Sequence, residues 1–152
     1  MSNGVKGSNP VIRPTVREDC IQLAKVLRKA DLQEISHGSG LEPEQALLYS
    51  FAVSEFCYTV WLEDEIVMIF GVGQGCPWML ASDLLLQIKR EFVRECRKIV
   101  QAMLDKYGHL ENHVWAGNKI HIYWLEWLGF KVEPPVPFGI NNEPFHRFYM
   151  TR

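Results

Sequence analysis

The sequence lacks the features that would assign it to a membrane, a nucleic acid or a metal site. No apolar run approaches the roughly 20 residues that a membrane-spanning helix needs. The net charge is −2, without the basic excess that is typical of nucleic-acid-binding domains. The four cysteines form no CxxC pair and no zinc-type spacing with the histidines. We therefore expect no membrane contact, no nucleic-acid partner, no bound metal and reduced thiols.

The composition is that of a globular protein. The chain has 152 residues, of which 47 % are hydrophobic and 22 % are charged, which suits one domain with a single core. Residues 1–10 are rich in Gly, Ser and Asn and have no apolar segment of the signal-peptide type. We predict a flexible N-terminal arm over residues 1–10 and a single domain over residues 11–152.

Hydrophobic periodicity predicts the element order β-α-α-β-β-β-α-β-α-β-β. The first helix buries five apolar or small residues: Cys20, Leu23, Val26, Leu27 and Ala30. Residues 36–40 are predicted as a loop. Two β-rich runs, residues 57–62 and 66–72, flank the acidic triplet 63–65 and predict a hairpin with an acidic turn. This order favours a twisted sheet covered by helices.

Glycines alternate at positions 71, 73 and 75. A glycine-rich loop that binds phosphate is one interpretation. The flanking pattern is strand to strand, whereas a phosphate loop connects a strand to a helix. A loop or bulge is therefore favoured.

The longest helix lies within residues 84–107 and carries an apolar face. Its other face holds basic side chains, namely Lys89, Arg90, Arg94, Arg97 and Lys98. A solvated surface is the ordinary explanation for such charges, and a binding surface for an acidic partner is the alternative.

Residues 114–132 read as a strand end, a short helix and a second strand. Asn118 is placed to cap the helix N-terminus through its side-chain oxygen. Trp124 and Leu128 belong to one apolar stripe at helical spacing, and Glu126 lies off it. Gly129 is predicted to end the helix in the left-handed conformation.

This segment resembles the last conserved motif of the GNAT superfamily of acetyl-CoA-dependent N-acetyltransferases. The likeness is carried by Asn118, the aromatic helix and Gly129-Phe130, and the predicted element order extends it over nearly the whole chain. It implies an α/β (α+β) fold with a mixed, mostly antiparallel sheet of about six or seven strands and about four helices. It also implies acetyl-CoA as a cofactor and N-acetyl transfer as an activity.

The sequence departs from that superfamily where the chemistry is expected. The segment matched to its pyrophosphate loop, residues 81–87, has no glycine and carries Asp83, which we expect to cap the amides of the following helix. The residues that would hold a cofactor are Ser82, Asp83, Lys89, Arg90 and Asn118. Leu125 stands where the superfamily has a tyrosine that acts as the general acid. The remaining catalytic candidates are Asn118, Tyr123 and His146. Tight binding of acetyl-CoA is therefore not expected.

A closer resemblance is to a family of tailed-phage and prophage proteins related to the internal virion protein of T7-type podoviruses. It rests on five motifs: MIFGV at 68–72, WMLASD at 78–83, LENHV at 110–114, WLxWLGF at 124–130 and PFHxFxM at 144–150. The likeness implies a GNAT fold, a role in virion morphogenesis, and other phage structural or assembly proteins as partners. It places the protein in the host cytoplasm during assembly, with the virion as a further location.

Three functions remain open from the sequence. The first is virion assembly by protein–protein binding, without a cofactor. The second is an acyl-CoA-dependent N-acetyltransferase with a divergent cofactor loop, acting on a protein or a small-molecule amine. The third is a host-directed protein that inhibits or modifies a defence factor. The oligomeric state is not determined.

Overall fold

The structure is a computed structural model that describes residues 9–152, so eight of the ten residues of the predicted N-terminal arm lie outside it. Residues 9–152 form seven strands, which are β1 Val11–Pro14, β2 Phe56–Leu62, β3 Glu65–Gly73, β4 Cys76–Ala81, β5 His109–Trp115, β6 Lys131–Phe138 and β7 Glu143–Thr151. The same residues form five α-helices, α1 Arg17–Ala24, α2 Lys29–Gly38, α3 Pro43–Val53, α4 Phe92–Tyr107 and α5 Lys119–Leu128, and a 3-10 helix, Asp83–Gln87.

The strands form two antiparallel sheets, in the orders β1-β2-β3-β4 and β5-β7-β6. Within the described residues no ladder joins β4 to β5. Two hydrogen bonds connect them instead: Glu111 N donates to Gly75 O at 3.0 Å, and Asn112 Nδ2 donates to Pro77 O at 2.8 Å. The space between the sheets is where the candidate site lies.

The predicted first helix is divided in two. α1 ends at Ala24, and α2 begins at Lys29 and continues through the predicted loop at 36–40 as far as Gly38. Between them Leu27 forms a bridge with Ser82, and Arg28 N donates to Ala81 O at 2.9 Å. These bonds to the end of β4 take the chain out of helical geometry. The division explains why there are five α-helices and not four.

The long helix lies within the predicted range but begins only at Phe92. The 3-10 helix Asp83–Gln87 precedes it, and Ile88 then takes an extended ψ of 127°. The connection from β4 to α4 therefore covers residues 82–91. The segment matched to the pyrophosphate loop, residues 81–87, supplies its first part, and residues 88–91 form the turn directly before α4. The buried face of α4 is Phe92, Val93, Cys96, Val100, Met103 and Leu104.

The glycine-rich segment belongs to a β-hairpin. Gly71 and Gly73 lie in β3, where a Cβ would come within 2.6 Å of Phe56 O and 2.4 Å of Val53 O respectively. Gly75 has a φ of 81° in the turn to β4. Close backbone approach and turn geometry account for these three glycines, so the phosphate-loop interpretation is wrong.

The aromatic helix follows the predicted phase. Gly129 ends α5 with a φ of 103°. Trp124 is 4 % exposed, Leu128 is partly buried and Glu126 is exposed. Helix α5 therefore packs its apolar stripe against the core.

No helix within residues 9–152 is long and apolar enough to cross a membrane. The part of the chain that the structure describes also contains no group of three His, Cys, Asp or Glu side chains placed to hold a metal ion. Cys20 and Cys96 are buried, Cys57 is partly buried and Cys76 is exposed, and all four are free thiols.

Candidate functional site

A buried polar network joins helix α2 to the start of α5. Arg28 Nη1 lies 3.3 Å from Asp31 Oδ2 and donates to Asn118 Oδ1 at 3.2 Å. Asn118 Nδ2 donates to Asp31 Oδ1 at 2.7 Å, and Ala81 N donates to Asp31 Oδ2 at 2.9 Å. Asp31 and Asn118 are 0 % exposed. The network therefore pairs a buried arginine with a buried aspartate and satisfies both through a third side chain.

Glu34 extends the network towards β5. Its Oε1 accepts from Asn118 Nδ2 at 3.0 Å and from Trp115 N at 3.1 Å. Burial, followed by repulsion from Asp31, raises the pKa of Glu34 from its ordinary 4.5 to about 8. Glu34 is therefore a neutral carboxylic acid at pH 7.

His121, on the first turns of α5, faces the same carboxyl group. It is 3 % exposed, and its Nδ1 lies 3.9 Å from Glu34 Oε1. This Nδ1 is a buried polar atom without a hydrogen-bond partner. Burial lowers the pKa of His121 to about 4. The Glu34–His121 pair is thus uncharged at neutral pH, and Arg28 and Asp31 carry the only paired charges of the cluster.

A cavity of about 220 Å³ opens beside this pair, under α2 and between β4 and β7. Glu34 and His121 contribute polar groups to its wall, as do Ser39, Ser50, Asn112 and His113. The remaining wall is mainly apolar and aromatic, with Trp78, Met79, Phe138, Phe145 and Phe148. A cavity with a mostly apolar wall and a few polar groups has the usual form of a small-molecule pocket, although it is small.

On the opposite side of β4, between α4 and α5, the interior is nearly full. The space there is about 50 Å³, and His121 lines it as well. Its other lining groups are apolar and include Met79, Cys96, Met103, Trp124 and Leu125. His121 therefore stands between an open cavity on one side and a packed core on the other.

The structure brings only one of the three catalytic candidates into this site. Asn118 is central, but its side chain makes no capping bond, so the capping role predicted for it is wrong. Tyr123 is 57 % exposed on the outer face of α5. His146 lies on β7, where its Nδ1 is 2.7 Å from Glu133 O.

The residues proposed for cofactor binding do not converge either. Ser82 is buried, and its Oγ donates to Ile66 O at 2.7 Å and accepts from Leu84 N at 3.3 Å. Asp83 is exposed and lines a different concavity from Arg90. Ser82, and not Asp83, caps the 3-10 helix, so the capping role predicted for Asp83 is also wrong.

Four residues of the network were missed by sequence reasoning: Arg28, Asp31, Glu34 and His121. A signal for three of them is present. Asp31 lies four residues before buried Ile35, on the same face of the helix, and Glu34 lies three residues after Asp31. His121 interrupts an otherwise apolar helix start. Ionisable side chains on the buried face of a helix are rare unless they are paired, so the pattern predicts a polar cluster.

The profile of a known protein family matches residues 57–133, just over half of the chain. That family is described as the probable scaffold protein Gp13 of bacteriophage T7. The chain belongs to this family. The probable scaffold protein gp13 of Escherichia phage T7 is itself 33 % identical over 96 residues, which cover 60 % of this chain. The match spans 64 % of that protein, less than two thirds of its length.

Solved structures show the fold. AAC(6')-Ib in complex with ribostamycin and coenzyme A aligns with a TM-score of 0.64 at 16 % identity, over 95 % of this chain and 94 % of that one. A GNAT-family acetyltransferase from Bacillus anthracis aligns with a TM-score of 0.63 at 12 % identity, over 94 % of this chain and 95 % of that one. These likenesses confirm the predicted GNAT-like fold class.

Proposed function

We propose that this protein acts in the assembly of a tailed-phage virion by binding other phage proteins, and that it does not turn over acyl-CoA. Membership of the scaffold-protein family supports the role in assembly. The observation that supports the absence of acyl-CoA turnover is the small space, about 50 Å³, between α4 and α5. The protein then works in the host cytoplasm during assembly, with the virion as a further location.

This space matters because of the length of coenzyme A. In the resemblance to N-acetyltransferases, the pyrophosphate lies at the head of the long helix, here residues 89–91. The amides of these three residues donate to no acceptor among residues 9–152, so they are free to bind a phosphate group. In this proposal the remaining arm would reach Glu34 and His121 through the space between α4 and α5 that His121 lines.

That passage does not fit the arm. Ligand pockets for molecules of this size hold about 300 Å³ or more, whereas the space here is about 50 Å³. Trp124 lines this space and belongs to the same buried cluster as Met79 and Cys96. Moving the tryptophan would expose a large apolar surface, at a cost of several kcal/mol. The residues present therefore do not suit bound acyl-CoA.

We expect isothermal calorimetry with acetyl-CoA to show no binding in the micromolar range. Asp83→Gly should leave that result unchanged, because Asp83 lies on the 3-10 helix and lines a different concavity from the α4 head. A micromolar dissociation constant for the parent protein would overturn the proposal that acyl-CoA does not bind.

The role in assembly is tested in the phage. Deleting the gene should leave host lysis intact but yield particles that are incomplete or non-infectious, as judged by electron microscopy and plaque counts. A normal yield of infectious particles would contradict the proposal. The double variant Glu34→Gln, His121→Gln should restore the yield, because assembly by binding needs no proton transfer from this pair.

One observation favours a second candidate, the transfer of an acyl group from acyl-CoA to an amine, with the thiol of coenzyme A as the leaving group. This candidate requires the space between α4 and α5 to open and admit the arm. Glu34, with a pKa of about 8, and neutral His121 line an open cavity of about 220 Å³. The ionised form of Glu34, which is the minor form at pH 7, is a base strong enough to take a proton from an ammonium group. If the double variant folds but fails to restore the yield, the pair has a chemical role and this candidate replaces the first.

A further inference from the structure

A basic concavity lies where the start of α4 meets the end of α5. It has a volume of about 320 Å³ and is lined by Arg90, Arg94, Arg97, Glu91, Val93 and Trp127. Three positive charges and one negative charge therefore surround a partly apolar floor. We call these residues the basic concavity.

The arginines of the basic concavity are not neutralised within the described chain. Arg97 donates from Nε to Trp127 O at 2.7 Å, and its Nη2 donates to the same oxygen. The Arg90 guanidinium lies 4.9 Å from the centre of the Trp127 ring. Arg94 makes no ion pair with any carboxylate among residues 9–152. Guanidinium groups without a carboxylate partner can donate hydrogen bonds to the carboxylates of another molecule.

A second concavity of about 440 Å³ carries the opposite charge. Three of its lining residues are the acids Asp64, Glu65 and Asp83, and no lysine or arginine lines it. Val26 and Leu84 add apolar surface, and Val26 is 48 % exposed. Asp64 lies in the tight β2–β3 turn with a φ of 63°, and Glu65 is the first residue of β3. We call these residues the acidic patch.

We propose that the exposed carboxylates of the acidic patch on one copy of this protein, those of Asp64, Glu65 and Asp83, enter the basic concavity of a second copy. This contact goes beyond the proposed function, which requires only that other phage proteins bind. Both halves of the interface are present on this chain, and each combines charge of one sign with an exposed apolar group. The net charge of −2 does not oppose the contact strongly, because the two signs are separated on the surface.

The features of the basic concavity favour carboxylates over a nucleic acid. Arg90 already covers a face of the Trp127 ring, which reduces the room for a stacked base. Glu91 within the concavity would repel a phosphate backbone. The acidic patch carries three separate carboxylates, whereas a nucleic-acid backbone carries a charge on every nucleotide, so the contact with Arg94 brings fewer negative charges near Glu91.

Sedimentation velocity of the purified full chain tests the contact. We expect the mean mass to rise with protein concentration at about 0.1 M salt and to return to that of the monomer at about 1 M, because the Debye length falls from about 10 Å to about 3 Å. Association that stops at a dimer means reciprocal contacts about a two-fold axis, and larger species mean head-to-tail contacts. Both support the proposal. A monomer throughout the range, or association that salt leaves unchanged, overturns it.

Charge reversals identify the surfaces. One variant, Arg94→Glu, alters the basic concavity. The other, Glu65→Lys with Asp83→Lys, alters the acidic patch and leaves Asp64 with its left-handed backbone. Each variant alone should remain monomeric. Arg17→Glu and Glu44→Lys, which reverse exposed charges elsewhere, should associate like the parent.

Mixing the two interface variants gives the decisive result. Arg94→Glu keeps an intact acidic patch and the double lysine variant keeps an intact basic concavity, so an equal mixture should form a one-to-one heterodimer. Circular dichroism melting curves that match the parent show that each variant is folded. Absence of the heterodimer, with both variants folded, overturns the proposal. Retained self-association of Arg94→Glu also overturns it, as does binding of an acidic peptide or of DNA to the concavity while the parent stays monomeric.

Discussion

His121 Nδ1 lies 3.9 Å from Glu34 Oε1, just beyond hydrogen-bond distance; His121 is buried and the Glu34 side chain is 16 % exposed. Because Oε1 already accepts from Trp115 N and Asn118 Nδ2, the carboxyl group is held in place and the imidazole is left without a partner. Two groups that are neutral at pH 7 thus sit next to the buried Arg28–Asp31 ion pair. This arrangement makes the stability of the protein depend on pH in a defined direction.

Glu34→Gln should abolish the decrease in the free energy of unfolding that Glu34 causes between pH 6.5 and pH 8. The folded state keeps the Glu34 proton up to about pH 8, whereas the unfolded chain releases it near pH 4.5. Above pH 6.5, the ordinary pKa of histidine, His121 is mainly neutral in both states. Stability therefore falls as pH rises from 6.5 to 8, by about 1–2 kcal/mol from this group.

In the variant this fall should be absent. The glutamine oxygen can still accept from Trp115 and Asn118, and its amide can donate towards His121. Urea unfolding at pH 6.5 and pH 8 measures the difference between the two proteins, with the exposed Glu44→Gln as the matched control. An equal fall in the parent and in Glu34→Gln would show that Glu34 is ionised in the folded protein.

Asn118→Ala should destabilise the protein by about 3–5 kcal/mol, because each of three ionisable side chains around it loses a hydrogen-bond partner. Arg28 loses an acceptor, and Asp31 and Glu34 each lose a donor. Asn141→Ala, at an exposed asparagine, should stay within about 0.5 kcal/mol of the parent. Equal urea midpoints for the two variants would reject the structural role of Asn118.

Trp124→Ala should cost about 3–5 kcal/mol, because it removes a large buried side chain between α4 and α5. Glu126→Ala, two residues away on the exposed side of the same helix, should stay within about 0.5 kcal/mol. Urea unfolding measures both variants. A lower urea midpoint for Glu126→Ala than for Trp124→Ala would contradict the assignment of Trp124 to the buried face of α5.

Gly129→Val should cost more than about 1 kcal/mol, since a β-branched residue is strained at a φ of 103°. The comparison is Gly38→Ala at the end of α2, where a new Cβ would meet only Phe145 ring atoms, the nearest at 3.7 Å. That variant should keep or raise the melting temperature. An unchanged melting temperature for Gly129→Val would show that the turn tolerates side chains.

The order of the strands and most helices could be predicted because local chemistry decides it. The β2–β3 hairpin follows from two β-rich runs around a short turn, and the end of α5 follows from the conformational freedom of Gly129. The GNAT resemblance rested on the same local features, which lie within a few residues of each other. Periodicity alone likewise placed Trp124 inside and Glu126 outside.

The candidate site could not be predicted, because its contacts join residues far apart in the chain. Arg28 and Asn118 are 90 positions apart, and Asn118 and Glu34 are 84 apart. Local rules assign Asn118 to a helix cap, and only the packing of α2 against the start of α5 offers it stronger, charged partners. The break between α1 and α2 has the same origin, since Leu27 leaves the helix to bridge Ser82. A buried charge needs partners, and the tertiary structure decides which ones are within reach.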